Sequence, residues 1–272
     1  MTLGAQLGEL VALRQPLPAV LGKALGLSAI LLVFGAWFLM TAGAAEERVV
    51  SPTLLPSPLE VLSSIESLMA DGALLPAIFA TLRRVLSGFL LAVVIGVPFG
   101  MAAGSWKALA AFLSPLVLVA RNIPIAALIP LTILWFGIDE SQKVMFIFIA
   151  TVPFVFSDAA AAVVSIHDRY VETAQTLGAS AWQVVYKVLV PLALPGIFTS
   201  LRSLFGIAFG YIMLAELINA KYGLGYLLSM SQRRGHTDHI FLVLLMIGIL
   251  AYGIDRALLF FQRGLFPYRK DI

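Results

Sequence analysis

Six stretches of the chain, at about 24–45, 78–103, 108–136, 143–164, 193–218 and 240–262, stay apolar long enough to cross a lipid bilayer as helices. The hydrocarbon core is about 30 Å thick, which takes about 20 residues of helix. The third stretch contains Pro115, Pro124 and Pro130. A proline inside a helix removes a backbone donor and bends the axis, so a kinked or discontinuous span is predicted there. Such a break survives in lipid where neighbouring helices or water re-satisfy the freed carbonyls, so this segment is expected to line something.

Two polar interruptions stand out between the apolar stretches. In the first, residues 46–75, a rigid turn-rich lead, Ser51-Pro52-Thr53-Leu54-Leu55-Pro56-Ser57-Pro58, precedes an amphipathic helix. Leu59, Leu62, Ile65 and Met69 are predicted on its apolar face. That face is expected to pack on the bundle or to meet a partner outside the membrane. In the second, residues 165–192, one helix is predicted over 171–177, interrupted at Gly178, with a second short helix over about 179–186. Leu177, Ala181 and Val184 fall at helical spacing and form a small apolar ridge flanked by polar groups. A ridge of this kind in water suits docking into the groove of a partner. Gly178 permits a tight bend between the two helices, and Pro191 and Pro195 mark the return to the fifth span.

Composition sets the class. Of 272 residues, 60% are hydrophobic and 12% charged, with a mean hydropathy of +0.97. A soluble domain carries about 25% charged residues, so an all-α integral membrane protein is expected, one transmembrane domain over 1–272 with no soluble domain appended. Lys23, the apolar run 24–40 and Thr41-Ala42-Gly43-Ala44-Ala45 imitate a signal peptide. The long leader, the near-spanning length of the run and the further spans favour an uncleaved first span. Basic residues near span ends place Arg14, Lys23, Lys107, Arg169, Lys187, Arg263, Arg269 and Lys270 inside, and Arg48, Lys143, Lys221, Arg233 and Arg234 outside. Both termini are then inside, residues 46–75 lie outside (the periplasmic side in a bacterial membrane) and residues 165–192 form the one sizeable inner, cytoplasmic loop. The net charge of +3 is spread over span ends and suggests no nucleic-acid partner. With no cysteine, disulfides, thiol chemistry and cysteine-ligated zinc are excluded.

Ionisable groups at membrane depth face the bundle interior or a cavity. Arg121, beside Asn122 and Pro124, is either a site for an anion, whose oxygens a guanidinium fork matches, or a structural charge. Glu216, near the outer end of the fifth span, is its expected internal partner. Asp158, followed by the small residues Ala159 to Ala162, faces the central cavity or bonds a neighbouring helix. Arg121, Asn122, Asp158 and Glu216 are the candidate translocation pathway, while Asp255 and Arg256 are read as structural. No catalytic constellation is evident, and no Gly-rich loop followed by Lys-Ser/Thr, so the chain is not expected to bind ATP. Gly223-Leu224-Gly225 reads as a turn. His167, His236 and His239 read as solvated loop histidines without a metal, a site formed by the last two with Asp238 being the alternative.

Glu172-Thr173-Ala174, Gly178 and Val188-Leu189-Val190-Pro191 resemble the cytoplasmic loop of bacterial ABC-importer permeases. That pattern is Glu-Ala-Ala, three residues, Gly, nine residues, then Ile-x-Leu-Pro; Thr173, Val188 and Val190 depart from it. Leu55-Pro56-Ser57-Pro58, Thr81-Leu82-Arg83-Arg84, Gly88-Phe89, Arg121-Asn122-Ile123-Pro124, Pro130-Leu131, Leu134-Trp135-Phe136-Gly137 and Tyr222-Gly223-Leu224-Gly225-Tyr226-Leu227 resemble the nitrate, sulfonate, taurine and bicarbonate branch. Ser157-Asp158 stands where that branch has Asn-Thr, and Phe209-Gly210-Tyr211 where it has a Trp.

The resemblance implies a type I importer permease of about six spans in the bacterial cytoplasmic membrane. It implies that Glu172, Ala174, Leu177, Gly178, Ala181, Trp182, Val184 and Pro191 couple to two copies of a separate ATPase, which binds ATP and Mg. This subunit then holds no cofactor and is not an enzyme. The implied partners are a second permease copy, in a homodimer or a heterodimer, a periplasmic or lipid-anchored substrate-binding protein, and membrane lipid. The expected cargo is a small anion such as nitrate, a sulfonate, taurine or bicarbonate, taken up by alternating access. A neutral or heterocyclic nutrient, or a secondary transporter, is the alternative.

Overall fold

In the computed structural model, residues 17–268 are described except for 45, 47 and 71; Arg14, Arg269 and Lys270 lie outside the described residues. The described residues form helices joined by turns. They are α1 (Ala19–Met40), α2 (Pro58–Ala70), α3 (Leu74–Ser105), α4 (Lys107–Asn122), α5 (Leu128–Phe136), α6 (Glu140–Val164), α7 (Asp168–Thr176), α8 (Ala181–Val184), α9 (Val190–Asn219), α10 (Leu224–Arg234) and α11 (Thr237–Leu265). Five helical runs among them are long and apolar enough to cross a membrane, and a sixth results if the bent pair after Lys107 is one span.

That pair is α4 with a short 3-10 turn and α5, bent by 88°. Of the three prolines in the segment, Pro124 alone makes the break. The residue before a proline is pushed out of helical geometry, and Ile123 is extended at φ −71°, ψ 128°. Pro115 is accommodated inside α4, and Pro130 sits in the first turn of α5, where the missing donor costs nothing.

The centre of the bundle is the α3–α6 pair. Gly88, Gly96, Gly100 and Gly104 of α3 face α6. A Cβ at Gly88 would lie 2.6 Å from the Val144 carbonyl oxygen, and one at Gly104 2.7 Å from that of Ala160. Glycines four apart let two backbones approach where lipid supplies no hydrophobic drive for association. Phe89, Phe146, Phe205 and Phe209 fill the space between this pair and α9, with Phe89 edge-on to Phe205 at 5.3 Å. Gln262 of α11, fully buried, donates to the Thr199 hydroxyl at 2.7 Å and accepts from Arg202 at 3.1 Å. Arg202 also bonds Asp255 at 2.8 Å, so Asp255 ties α9 to α11, the structural role expected of it.

The amphipathic helix forms as predicted but buries a different face. Val61, Ser64 and Leu68 are buried, while Leu59, Leu62 and Met69 are exposed; of the expected face only Ile65 packs, partly buried, against this cluster. Apolar residues occur on two faces of α2, so periodicity alone could not choose between them. Packing against Leu242 and Val243 of α11 decides it. The helix starts at a capping box in which the Ser57 amide donates to Glu60 (2.7 Å) and the Glu60 amide to the Ser57 hydroxyl (3.3 Å). Arg48 grips the same carboxylate through two nitrogens, at 3.0 and 2.8 Å.

These bonds, first those from Arg48 and then the Ser57 amide, hold the Glu60 carboxyl down to about 2 from the usual 4.5. A depressed carboxyl contributes stability that is complete above its unfolded value and disappears as pH falls through its folded value. The melting temperature is therefore expected to fall as pH drops from 4.5 towards 2, and to fall less steeply in Glu60→Gln. The effect is small because the carboxylate is 41% exposed. Parallel melting curves for the two proteins across that window would refute the assignment.

The 165–192 segment departs from expectation at one point. The second short helix does not end near residue 186. After α8 the chain widens into a π turn, Val185–Leu189, and runs directly into α9. The Val190 amide donates to the Val185 carbonyl five residues back. This widening accommodates Pro191, whose ring would crowd the preceding turn and which has no amide to donate to it.

Candidate coupling surface and membrane-embedded charges

Two devices shape the turn between α7 and α8. The Gly178 amide donates to the Gln175 carbonyl (2.9 Å) and the Ala179 amide to the Ala174 carbonyl (3.0 Å), the double bond of a Schellman turn. Gly178 takes φ +82° in it, a left-handed conformation that L side chains resist. Ser180 and Gln183 then form a second capping box (2.8 and 3.4 Å) that starts α8.

The ridge expected from Leu177, Ala181 and Val184 is only partly present. Leu177 is 83% exposed, and Ala181 and Glu172 are exposed as well. Val184, by contrast, is buried with Val163, Val185 and Ile197, while Ala174 packs on that cluster. The reason is the continuous run into α9, which turns Val184 inward as a root. Trp182 and Tyr186 take its place outside, 60% and 65% exposed, with their rings stacked at 5.9 Å. Trp106, at the start of α4, sits against Trp182 at 4.8 Å. Pro191 follows, exposed, in the first turn of α9.

At the opposite end, the expected Arg121–Glu216 pair does not exist. Glu216, fully buried on α9, is held by Arg84 of α3 at 2.6 Å. Thr81 donates to it at 2.9 Å, as does the Gly225 amide. Arg84, also buried, donates to the Tyr222 carbonyl at 2.6 Å and grips Glu140 of α6 through Nε (2.7 Å) and Nη2. The Leu224 amide closes the set by donating to the Thr81 hydroxyl at 2.9 Å. Gly223 takes φ +129°, and any Cβ there would strike the Glu216 carboxylate. The Gly223-Leu224-Gly225 turn thus wraps a carboxylate of its own chain, which ties α3, α6, α9 and α10 together.

Arg121 lies elsewhere. Its guanidinium sits 5.0 Å over the Phe154 ring, and it lines an open groove of about 500 Å3 with Ser114, Leu118, Phe156 and Ser157. Asp158 is half-buried within electrostatic reach of it. Asn122 donates to the Leu118 carbonyl at 2.7 Å and so caps its own helix. Of the four pathway candidates, Arg121 and Asp158 come together, Asn122 ends α4, and Glu216 belongs to the buried network. Arg84 was legible only as part of a motif, because its partners lie 56 and 132 residues away. The glycines of α3 did carry a readable signal in their four-residue spacing.

An apolar helical bundle, broken at Pro124 and carrying an aromatic-tipped helix turn between two of its spans, defines a multi-pass membrane protein. The chain belongs to the binding-protein-dependent transport system inner membrane component family, which its residues 96–267 match. It is a transport subunit of the ABC permease type. It is 36% identical over 251 residues to a probable ABC transporter permease protein of Brucella abortus (strain 2308), covering 92% of this chain and 97% of that one. It is 32% identical over 264 residues to the taurine transport system permease protein of Escherichia coli (strain K12), covering 95% and 94%. Among solved structures, a chain of the MetNI methionine ABC transporter in an inward-facing conformation superposes with a TM-score of 0.65 at 25% identity. The match covers 72% of this chain and 97% of that one.

Proposed function

We propose that this chain is the membrane path of an ATP-driven importer of a small anion, and that the α7–α8 turn is where a separate ATPase subunit drives it. The exposed surface of Leu177, Trp182 and Tyr186 carries the reading. It offers a compact apolar contact in water, and its root Val184 is continuous with α9. A push on this turn is therefore delivered to a membrane helix without an intervening flexible joint. Two permease copies and two ATPase copies would then move together, with the α2 end facing a substrate-binding protein outside the cytoplasmic membrane. ATP and Mg belong to the ATPase in this scheme.

Arg121 supports an anionic cargo, since its guanidinium is open to the groove and matches sulfonate, carboxylate or nitrate oxygens. Asp158 within reach of it suits a solute that also carries an amino group, as taurine does. A neutral or heterocyclic nutrient is the second reading; it would leave Arg121 and Asp158 as a structural charge pair.

Leu177→Asp tests the coupling surface. The side chain is exposed, so folding is expected to be unchanged. Placing a charge where an apolar contact is required is expected to weaken ATPase association by about tenfold or more. Transport-stimulated ATP hydrolysis in reconstituted vesicles should fall with it. Gly178→Val should act in the same direction by straining the left-handed turn. Normal ATPase co-purification and normal uptake in both variants would sink the assignment.

A further inference from the structure

The junction of α10 and α11 gathers three metal-ligating side chains that the transport reading leaves unused: His236 precedes α11, and Asp238 and His239 lie in its first turn. His236, Asp238 and His239 each offer one donor atom, and the three donors lie within 4.8 Å of one another. The two imidazole rings are stacked with centroids 4.9 Å apart. His239 Nε2 is 3.7 Å from the Asp238 carboxylate and 3.1 Å from the Ser67 hydroxyl of α2.

The backbone here is held as firmly as at the coupling turn. Gly235 takes a left-handed conformation at φ +75°. Its amide donates to the Gln232 carbonyl (3.2 Å), and the His236 amide to the Ser231 carbonyl (3.0 Å), a second Schellman turn. Next to it, the Thr237 hydroxyl donates to the Thr53 carbonyl at 2.9 Å. The three ligand positions therefore start from a fixed frame, and the exposed His236 side chain retains the freedom to close on the other two.

We propose that His236, Asp238 and His239 bind one divalent transition-metal ion of the zinc type at this end of the bundle. Two imidazoles and one carboxylate are a ligand set that zinc accepts, with bonds of about 2.0–2.2 Å and a fourth position for water or a further group. The positive end of α11 opposes a cation, and the Asp238 carboxylate among the rings offsets it. Ser67 holds the His239 ring from α2 through Nε2, which leaves Nδ1 as the ligand atom of that ring, the arrangement of oxygen partners behind ligating histidines. The whole sequence holds three histidines and no cysteine, so two of its three strongest zinc-ligand side chains are here. The third, His167, stands apart from them at the N-terminal end of α7.

The experiment is zinc titration of the full chain in detergent, stripped with chelator and freed of any histidine tag, followed calorimetrically, with cobalt absorption reporting the ligand field. One ion per chain is expected. His236→Ala/His239→Ala should lose at least about a hundredfold in affinity, because loss of supporting partners alone costs about ten- to a hundredfold. Asp238→Asn should lose at least about tenfold, and His167→Ala should bind as the native chain does. Zinc should raise the melting temperature of the native chain and of His167→Ala but not that of the double variant. Comparison of metal-free melting curves separates loss of ligands from loss of fold. Absence of stoichiometric binding by the native chain, or undiminished binding by a folded double variant, would overturn the proposal.

Discussion

Arg84→Met is expected to destabilise the helical bundle by about 3–5 kcal/mol, the usual cost of removing one member of a buried ion pair. The size follows from what is left behind. Glu216 has no exposed side-chain surface and would keep only the hydroxyl of Thr81 and the amide of Gly225. The Tyr222 carbonyl would lose its Arg84 donor as well. Adding Glu216→Gln should recover part of the loss, since an uncharged amide oxygen can still accept from Thr81 and Gly225. Reversible unfolding of the purified protein in mixed micelles measures both. Native-like stability of the single variant would show that Glu216 is not held by Arg84. A double variant no better than the single one would place the cost in packing instead of in an uncompensated charge.

Gly100→Val is expected to cost at least about 3 kcal/mol, at or above the upper end for overpacking a tight interior. A Cβ at this position would run into the backbone carbonyl of Phe156 and lie 2.8 Å from the Ala159 methyl. Neither neighbour can rotate away, because both belong to the facing turn of α6. The variant would have to push α3 off α6 along the line that Gly96 and Gly104 also keep close. Gly35 in α1 provides the contrast. Nothing lies within 4 Å of the position a Cβ would take there, so Gly35→Ala should be neutral or stabilising by about 0.5–1 kcal/mol. Thermal melts of the two variants side by side check the pair; equal effects would mean that the α3–α6 approach does not depend on glycine.

Much of the architecture was legible from local pattern. Helix positions followed from apolar length, the break in the third segment from its prolines, and the bend at 178 from its glycine. The break was narrowed to Pro124 only by seeing that Pro130 falls in a first turn. The turn between α7 and α8 was legible in register but not in orientation: Val184 reads as one more residue of a ridge until the π turn shows that α8 and α9 are one continuous run. Likewise, Leu59 and Val61 of α2 are equally apolar, and only the position of α11 distinguishes them.

Partner choice among charges was the least legible part. Arg121 and Glu216 both lie at membrane depth, and opposite sign made them a reasonable pair. Distance along the sequence carries no information on which helices become neighbours, and Arg84 reaches Glu216 because α3 and α9 share one core, while Thr81 and the 223–225 turn close around the carboxylate. By itself the sequence determined the class, the spans and the position of the turn at Gly178, since each depends on hydropathy, proline or glycine within a short window. The tertiary structure alone decided which side chains root that turn, which arginine neutralises Glu216, and that Ser67 of α2 comes to His239. Those outcomes depend on which faces the helices present to each other, and that is set only when they pack.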